Sequence, residues 1–161
     1  MGGSNGRWIP VSFVLLAAWL APVNAREYCI PNGEFWTIQS AIDAAVDGDV
    51  IILEAGVYTG YGNCNISFQG KAIVVRSVNP DDPDVVAATV IDAEGELRGF
   101  EFSCGETAAA VLRGVTITGA QTGIYCRDAS PTIKGCAIQC NAGHGILCEH
   151  GAKPVISGCR I

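Results

Sequence analysis

The sequence predicts an all-β solenoid of stacked coils, one coil per repeat, and three observations predict it. Ser130-Pro131-Thr132-Ile133-Lys134-Gly135-Cys136-Ala137-Ile138 aligns with Lys153-Pro154-Val155-Ile156-Ser157-Gly158-Cys159-Arg160-Ile161. Gly123-Ile124-Tyr125-Cys126 aligns with Gly145-Ile146-Leu147-Cys148, so the period is about 22 residues in both alignments. A cysteine-free copy, Leu112-Arg113-Gly114-Val115-Thr116-Ile117, precedes them. A coil this short cannot bury its apolar face alone; it must stack on its neighbours.

The chain opens with a segment that reads as a secretory signal peptide over residues 1–25. Arg7 is its only charge, an apolar run extends from Val11 to Leu20, Pro22 breaks that run, and Val23 and Ala25 supply small residues for cleavage after Ala25. The apolar run is shorter than the roughly 20 residues that span a bilayer, so no membrane span is expected after cleavage. Residues 26–36 read as a loosely structured lead. Thr37 then acts as the N-cap of a short helix over 38–46, with Ile38, Ala41, Ile42 and Ala45 on one face, stopped by Asp47-Gly48-Asp49. Such a helix covers the open end of a stack.

The domain proper is read as 37–161. Val50-Ile51-Ile52-Leu53 is its first strand, and Gly56-Val57-Tyr58 turns the chain. Further strands fall at 65–68, 72–77, 89–92, 100–103, 110–112 and 115–118. Two prolines make 79–84 a loop. From Leu112 onward the alignment defines interior rows by period-two alternation: Leu112, Ile133 and Ile156; Val115, Cys136 and Cys159; Ile117, Ile138 and Ile161; Ile124 and Ile146; Cys126 and Cys148. Gly114, Gly135 and Gly158 recur just before the second row, where the coil must bend. Ile161 ends an interior row in mid-coil, so further coils, or a partner covering this end, are expected.

The formal net charge is −6, and loss of Arg7 with the leader makes it one unit more negative. That balance argues against nucleic acid, which is bound mainly by neutralising phosphates. All eight cysteines follow the cut, and export places them in an oxidising compartment. Cys126/Cys148 and Cys136/Cys159 should stack at a strand spacing of about 4.8 Å, which suits a disulfide and equally a ladder of buried thiols.

The run Thr37-Ile38-Gln39-Ser40-Ala41-Ile42-Asp43-Ala44-Ala45, followed by Gly48-Asp49-Val50-Ile51 and Gly56-Val57-Tyr58-Thr59-Gly60, resembles the N-terminal cap and first coil of secreted right-handed parallel β-helix proteins of the pectin-lyase-like superfamily. Lys71–Ser77, Thr89-Val90-Ile91-Asp92 and the Ser-Pro-Thr-Ile…Cys…Ile repeat continue the likeness over about residues 37–161. It implies a right-handed parallel β-helix with a short N-terminal capping helix. It does not select an activity, because members include lyases, polygalacturonases and adhesins.

Gly143-His144-Gly145 is similar to a polygalacturonase motif, but the companion Asn-Thr-Asp is absent and the only Asp-Asp, Asp81-Asp82, lies several coils upstream. His144 is more simply a turn residue. A lyase-like site would need clustered acids for Ca²⁺ and a base. Asp92, Glu94, Glu96, Glu101 and Glu106 supply acids, and Asp92, Arg113 and Asp128 are the set that neighbouring coils would bring together. No other cofactor and no structural metal is expected. Cys140, His144, Cys148 and His150 have metal-ligand chemistry, but strand alternation turns Cys148 inward. Asn65-Ile66-Ser67 is an N-glycosylation sequon. Trp36, Tyr58 and Tyr61 offer sugar-stacking faces or packing for the cap. The expected function is a secreted repeat protein that binds an extracellular polysaccharide or cell-surface glycan, without a catalytic site in this stretch. The alternatives are a pectin-type lyase or glycoside hydrolase with part of its site missing, and a structural surface protein or adhesin.

Overall fold

A computed structural model describes residues 25–161; the leader read at 1–25 lies outside the described residues except for Ala25. In chain order the elements are β1 (Glu27–Ile30), α1 (Ile38–Ala44), β2 (Val50–Leu53), β3 (Gly56–Tyr58), β4 (Ile66–Ser67), β5 (Val74–Ser77), α2 (Pro83–Ala88), β6 (Thr89–Asp92) and β7 (Arg98–Phe102). They continue with β8 (Val111–Arg113), β9 (Thr116–Thr118), β10 (Thr122–Arg127), β11 (Thr132–Lys134), β12 (Ala137–Ile138), β13 (His144–Glu149) and β14 (Val155–Ser157). All strand pairs are parallel. They form three sheets, ordered β1-β2-β5-β8-β11-β14, β13-β10-β7-β4 and β12-β9-β6-β3. The architecture is a right-handed parallel β-helix with a helical element at its N-terminal end.

The coil register agrees with the repeat alignment. Ile133 pairs with Leu112 and Ile156, Ile138 with Ile117, Ile124 with Ile146, and Cys126 with Cys148. Leu112, Val115, Ile117, Ile124, Cys126 and Ile133 are fully buried, and Phe68, Phe100 and Phe102 fill the lower interior, with Phe68 and Phe102 ring centroids 4.7 Å apart. Ile156 and Ile161 keep their rows but are 43% and 67% exposed, and Cys148 is exposed. They belong to the last described coil, which has a neighbour on one side only.

Helix α1 is held by a reciprocal cap. Thr37 accepts from Ser40 N at 3.2 Å, and Ser40 Oγ accepts from Thr37 N at 3.4 Å. It buries Ile38, Ala41 and Ile42 and packs on β1, β2 and β4, so it lies over the end of the stack. Two expectations change. The lead is not loose: β1 pairs in parallel with β2, Glu27 opposite Val50 through Ile30 opposite Leu53, and the first sheet starts at residue 27 rather than after 37. The Pro-rich loop runs into α2, because Pro83 occupies the first turn, where its missing N–H costs nothing, and Asp82 Oδ1 caps Asp84 N at 3.0 Å.

A cationic groove at one corner of the coil

The corner between β8 and β9, repeated between β11 and β12 and after β14, is made by Gly114, Gly135 and Gly158, with φ of 63°, 61° and 63°. These left-handed angles suit glycine and let successive coils bend at one column. The residues before these glycines are Arg113, Lys134 and Ser157, and strand register stacks them in one row that Arg76, ahead of Ser77, extends by one coil: Arg76 pairs with Arg113, Arg113 with Lys134 and Lys134 with Ser157. Neighbours in this ladder are about 4.8 Å apart. Arg76 lies 3.9 Å from Glu27 and Arg113 is paired with Asp81, so Lys134 is the cation of this row left without an ion pair among the described residues.

The stretch from Pro80 to Ala87 stands beside this corner and forms the other wall of a groove of about 510 Å³. Pro80, Pro83, Val86 and Ala87 make that wall largely apolar; Arg113, Lys134 and Arg160 supply cations, with Gln139 and Cys136 also lining the space. The wall is pinned at its base. Pro80 sits so close to Gly114 that a Cβ there would lie 2.3 Å from the Pro80 Cβ. Arg113 Nη2 donates to both Asp81 carboxylate oxygens at 2.6 Å, and Thr116 Oγ1 donates to Val86 O at 2.8 Å. Arg113 Nε is buried without a hydrogen-bond partner among the described residues. Lys134 is exposed and makes no ion pair among the described residues. Arg160 Nη2 donates to Gln139 Oε1 at 3.2 Å.

Of the candidate catalytic residues His144, Asp92, Arg113 and Asp128, Arg113 alone lines this groove. Asp92 ends β6 in a different sheet, and its Oδ1 accepts from Glu94 N at 3.0 Å, so it closes a turn. Asp128 follows β10 in the sheet β13-β10-β7-β4, at a φ of 50°, beside Arg127. His144 opens β13 opposite Thr122, exposed, at the other end of that sheet from Asp128 and roughly 20 Å away along the strand direction. Asp92, Arg113 and Asp128 are not brought together.

The carboxylates offered for Ca²⁺ are likewise dispersed. Glu106 is buried and accepts from Gly70 N and Cys104 N at 2.9 Å, and Glu101 is paired with Arg98. Glu94 and Glu96 line a separate hollow with Tyr61 and Asn65. Among the described residues no group of three or more His, Cys, Asp or Glu is placed to hold a metal ion, so these acids do not fit a calcium site. The Cys140, His144, Cys148 and His150 set does not converge either.

The aromatic residues do not join the groove. Tyr58 is buried, its hydroxyl 2.8 Å from both Ile30 O and Glu54 O, and burial, then the nearby Glu54 charge, pushes its pKa up to about 12. Trp36 and Tyr61 are exposed elsewhere. Asn65 of the sequon is exposed at the surface, with Oδ1 accepting from Arg98 N at 3.0 Å.

The stacked cysteines are neighbours, and all eight stand as free thiols in this structure. Cys136 and Cys159 share a hydrogen bond that, together with burial, raises Cys136 well above the usual thiol range. The same bond, with backbone donors, lowers Cys159 to about 6. Burial, then the nearby Cys148, raises Cys126 to about 12.

No helix among the described residues is long and apolar enough to cross a membrane. A family model described as a right-handed beta helix region matches residues 49–161. The comparisons with curated proteins and with solved structures return no match.

Proposed function

We propose, from the premise that the chain belongs to the right-handed β-helix family, that it is an exported protein which binds an extracellular polysaccharide or surface glycan in the groove beside the Arg76-Arg113-Lys134 ladder. The single observation that carries this reading is the pairing of an apolar wall with Lys134 and Arg160, two cations that no carboxylate pairs with among the described residues, at one corner of an otherwise acidic chain. A sugar ring presents an apolar face to the wall, and acidic substituents meet Lys134 and Arg160. Repetition of the corner from coil to coil suits a polymer whose units repeat along it. The overall acidity disfavours long-range attraction of a polyanion, so recognition is local and short-ranged.

The reading is binding rather than turnover. Hydrolysis of a glycosidic bond by the usual route needs two carboxyl groups facing each other across the sugar. The groove is lined by one, Asp81, and it is already engaged by Arg113.

The test is a binding titration with a pectic oligouronate and a neutral glucan oligosaccharide of equal length. Uronate binding that weakens with added salt, falls at least tenfold in Lys134→Glu and is unchanged in His144→Ala supports the proposal. Equal uronate affinity in Lys134→Glu and the parent chain overturns it.

A further inference from the structure

Asp49 is a fully buried carboxylate, 0% exposed, at the start of the stack. Its Oδ1 accepts from Arg26 N at 2.8 Å and its Oδ2 from Val46 N at 2.9 Å, and the Tyr28 side chain adds a hydrogen bond. Burial works against its charge, but the bonds from Val46, Arg26 and Tyr28, with the nearby positive charge of the Arg26 side chain, outweigh it and hold the carboxyl below its usual range. No side-chain ion pair reaches it among the described residues. The Arg26 guanidinium acts on it only from beyond ion-pair distance, and a buried carboxylate carrying its charge is better matched by a cation in direct contact.

The atom that touches Asp49 is a backbone nitrogen, and its place in the sequence matters. Arg26 is the residue just after the expected cut. It is also where the fold takes hold of the chain: Val50 N donates to Arg26 O at 2.8 Å, and Glu27 begins the register with Val50. Ala25 and Arg26 are both exposed residues, so the bond between them is open to a protease.

We infer that hydrolysis of the Ala25–Arg26 peptide bond turns the Arg26 nitrogen into an α-ammonium that forms a salt bridge with buried Asp49, so that proteolytic maturation locks the first strand onto the stack. The inference rests on the export reading, not on the glycan. The step consumes one water: Ala25 leaves with the new carboxylate, and the Arg26 amine takes up a proton at neutral pH. The neutral N–H···O⁻ bond of the precursor becomes a charge-assisted N⁺–H···O⁻ bond at the same atoms. The adjoining hollow is lined by Arg26, Glu27, Tyr28, Asn32, Glu34 and Phe35 and leaves room for the ammonium's other two donors.

Pairing raises the ammonium's pKa above the free-amine value of about 7.7–8. Its contribution is therefore fully present below about pH 7.7 and lost as pH rises through the folded-state value. Other ionisable groups face this end of the stack. They are the Arg26 guanidinium, Tyr28, Glu27 with its partner Arg76 at 3.9 Å, and Glu34. Asp47 accepts from Ala72 N, and Lys71 Nζ is bonded to Ile42 O and Asp43 O. They are common to all the forms compared below and cancel in the differences.

The experiment compares chain 26–161 with a free Arg26 amine, the same chain N-acetylated, and the chain retaining Ala25, by thermal melts at pH 6 and pH 10. At pH 6 the free-amine form should melt a few degrees above the other two, with the folded fraction favoured about tenfold for each unit of pKa elevation. The gap should vanish at pH 10. In Asp49→Asn the three forms should melt together at pH 6. Should that variant not fold, the acetylated chain and the pH 10 arm still decide. Equal melts at pH 6, or a gap that persists at pH 10, overturn the inference. So does an exported chain whose N-terminal residue by mass spectrometry is not Arg26.

Discussion

Replacing Gly114 by alanine separates two roles of the corner glycines, because Gly135 provides a matched control. Both residues have left-handed φ, 63° and 61°, so alanine at either position pays a backbone cost of about 1–2 kcal/mol. Their surroundings differ. At Gly135 the nearest atom to a new Cβ is Pro80 O at 3.7 Å, which is ordinary contact. At Gly114 the new Cβ would lie 2.3 Å from Pro80 Cβ, 2.4 Å from Pro80 Cα and 2.9 Å from Pro80 O. Backbone and a rigid ring cannot rotate away, so the loop must move, adding an overpacking cost of about 1–3 kcal/mol. Gly114→Ala should thus lose about 2–5 kcal/mol in urea unfolding at pH 7, and Gly135→Ala about 1–2. Movement of Pro80 also carries Asp81 off Arg113, so uronate affinity should change more in Gly114→Ala than in Gly135→Ala. Equal stability losses in the two variants would refute the claim that Pro80 is seated on the corner.

Further outcomes follow from burial and charge. Ile138→Asp puts a carboxylate in a continuous buried row and should cost about 4 kcal/mol or prevent folding, whereas Lys134→Asp, on the exposed ladder, should cost under about 1 kcal/mol; equal melting losses would invert the inside–outside assignment. Asp49 has a lowered folded pKa, so its contribution is present above about pH 4 and is lost as pH falls through that lowered value. Acid unfolding followed by circular dichroism should be less steep in Asp49→Asn, and an unchanged acid limb would remove this carboxylate from the account. Alkylation at pH 7 in reduced protein should modify Cys159, with its thiol near 6, well before Cys126, with its thiol near 12; peptide mapping that finds the reverse order would contradict the stacked-pair electrostatics. For exported, unreduced protein the expectation is at least one bridge, Cys126–Cys148 or Cys136–Cys159, and mass spectrometry showing eight free thiols would defeat it.

The repeating part of this molecule is written in its sequence; the one-off contacts are not. Leu112, Ile133 and Ile156 could be aligned because each coil solves the same packing problem with the same residue type at the same offset, and period-two alternation then says which side faces in. The exposure of Ile156 and Ile161 could not be read that way. A row tells which residues stack, and coverage depends on a further neighbour. β1 escaped notice because Glu27-Tyr28-Cys29-Ile30 matches none of the repeats and alternates only weakly, yet it completes the first sheet by pairing with Val50–Leu53. Helix α2 was legible in part: Asp82-Pro83 is a helix-start signal, and two prolines drew the reading toward a loop.

The candidate site divides along the same line. One wall was available in principle. Arg113 and Lys134 occupy the same position ahead of the corner glycine in successive repeats, and extending the alignment outward instead of inward stacks their charges. The opposite wall was not available, because α2 buries no residue of its own and is placed by single contacts with distant coils: Pro80 on Gly114, Asp81 on Arg113 and Val86 O with Thr116 Oγ1. None of these recurs, so no period reports it. Chemistry-bearing residue types taken singly pointed elsewhere. Asp92 and Glu106 are acids spent on turn N–H groups, and His144 is an exposed strand start. In a solenoid a side chain's function depends on which ladder it joins. Asp92 ends β6 and Asp128 follows β10, in sheets that β8 does not belong to, so no stacking of coils brings either carboxylate to Arg113.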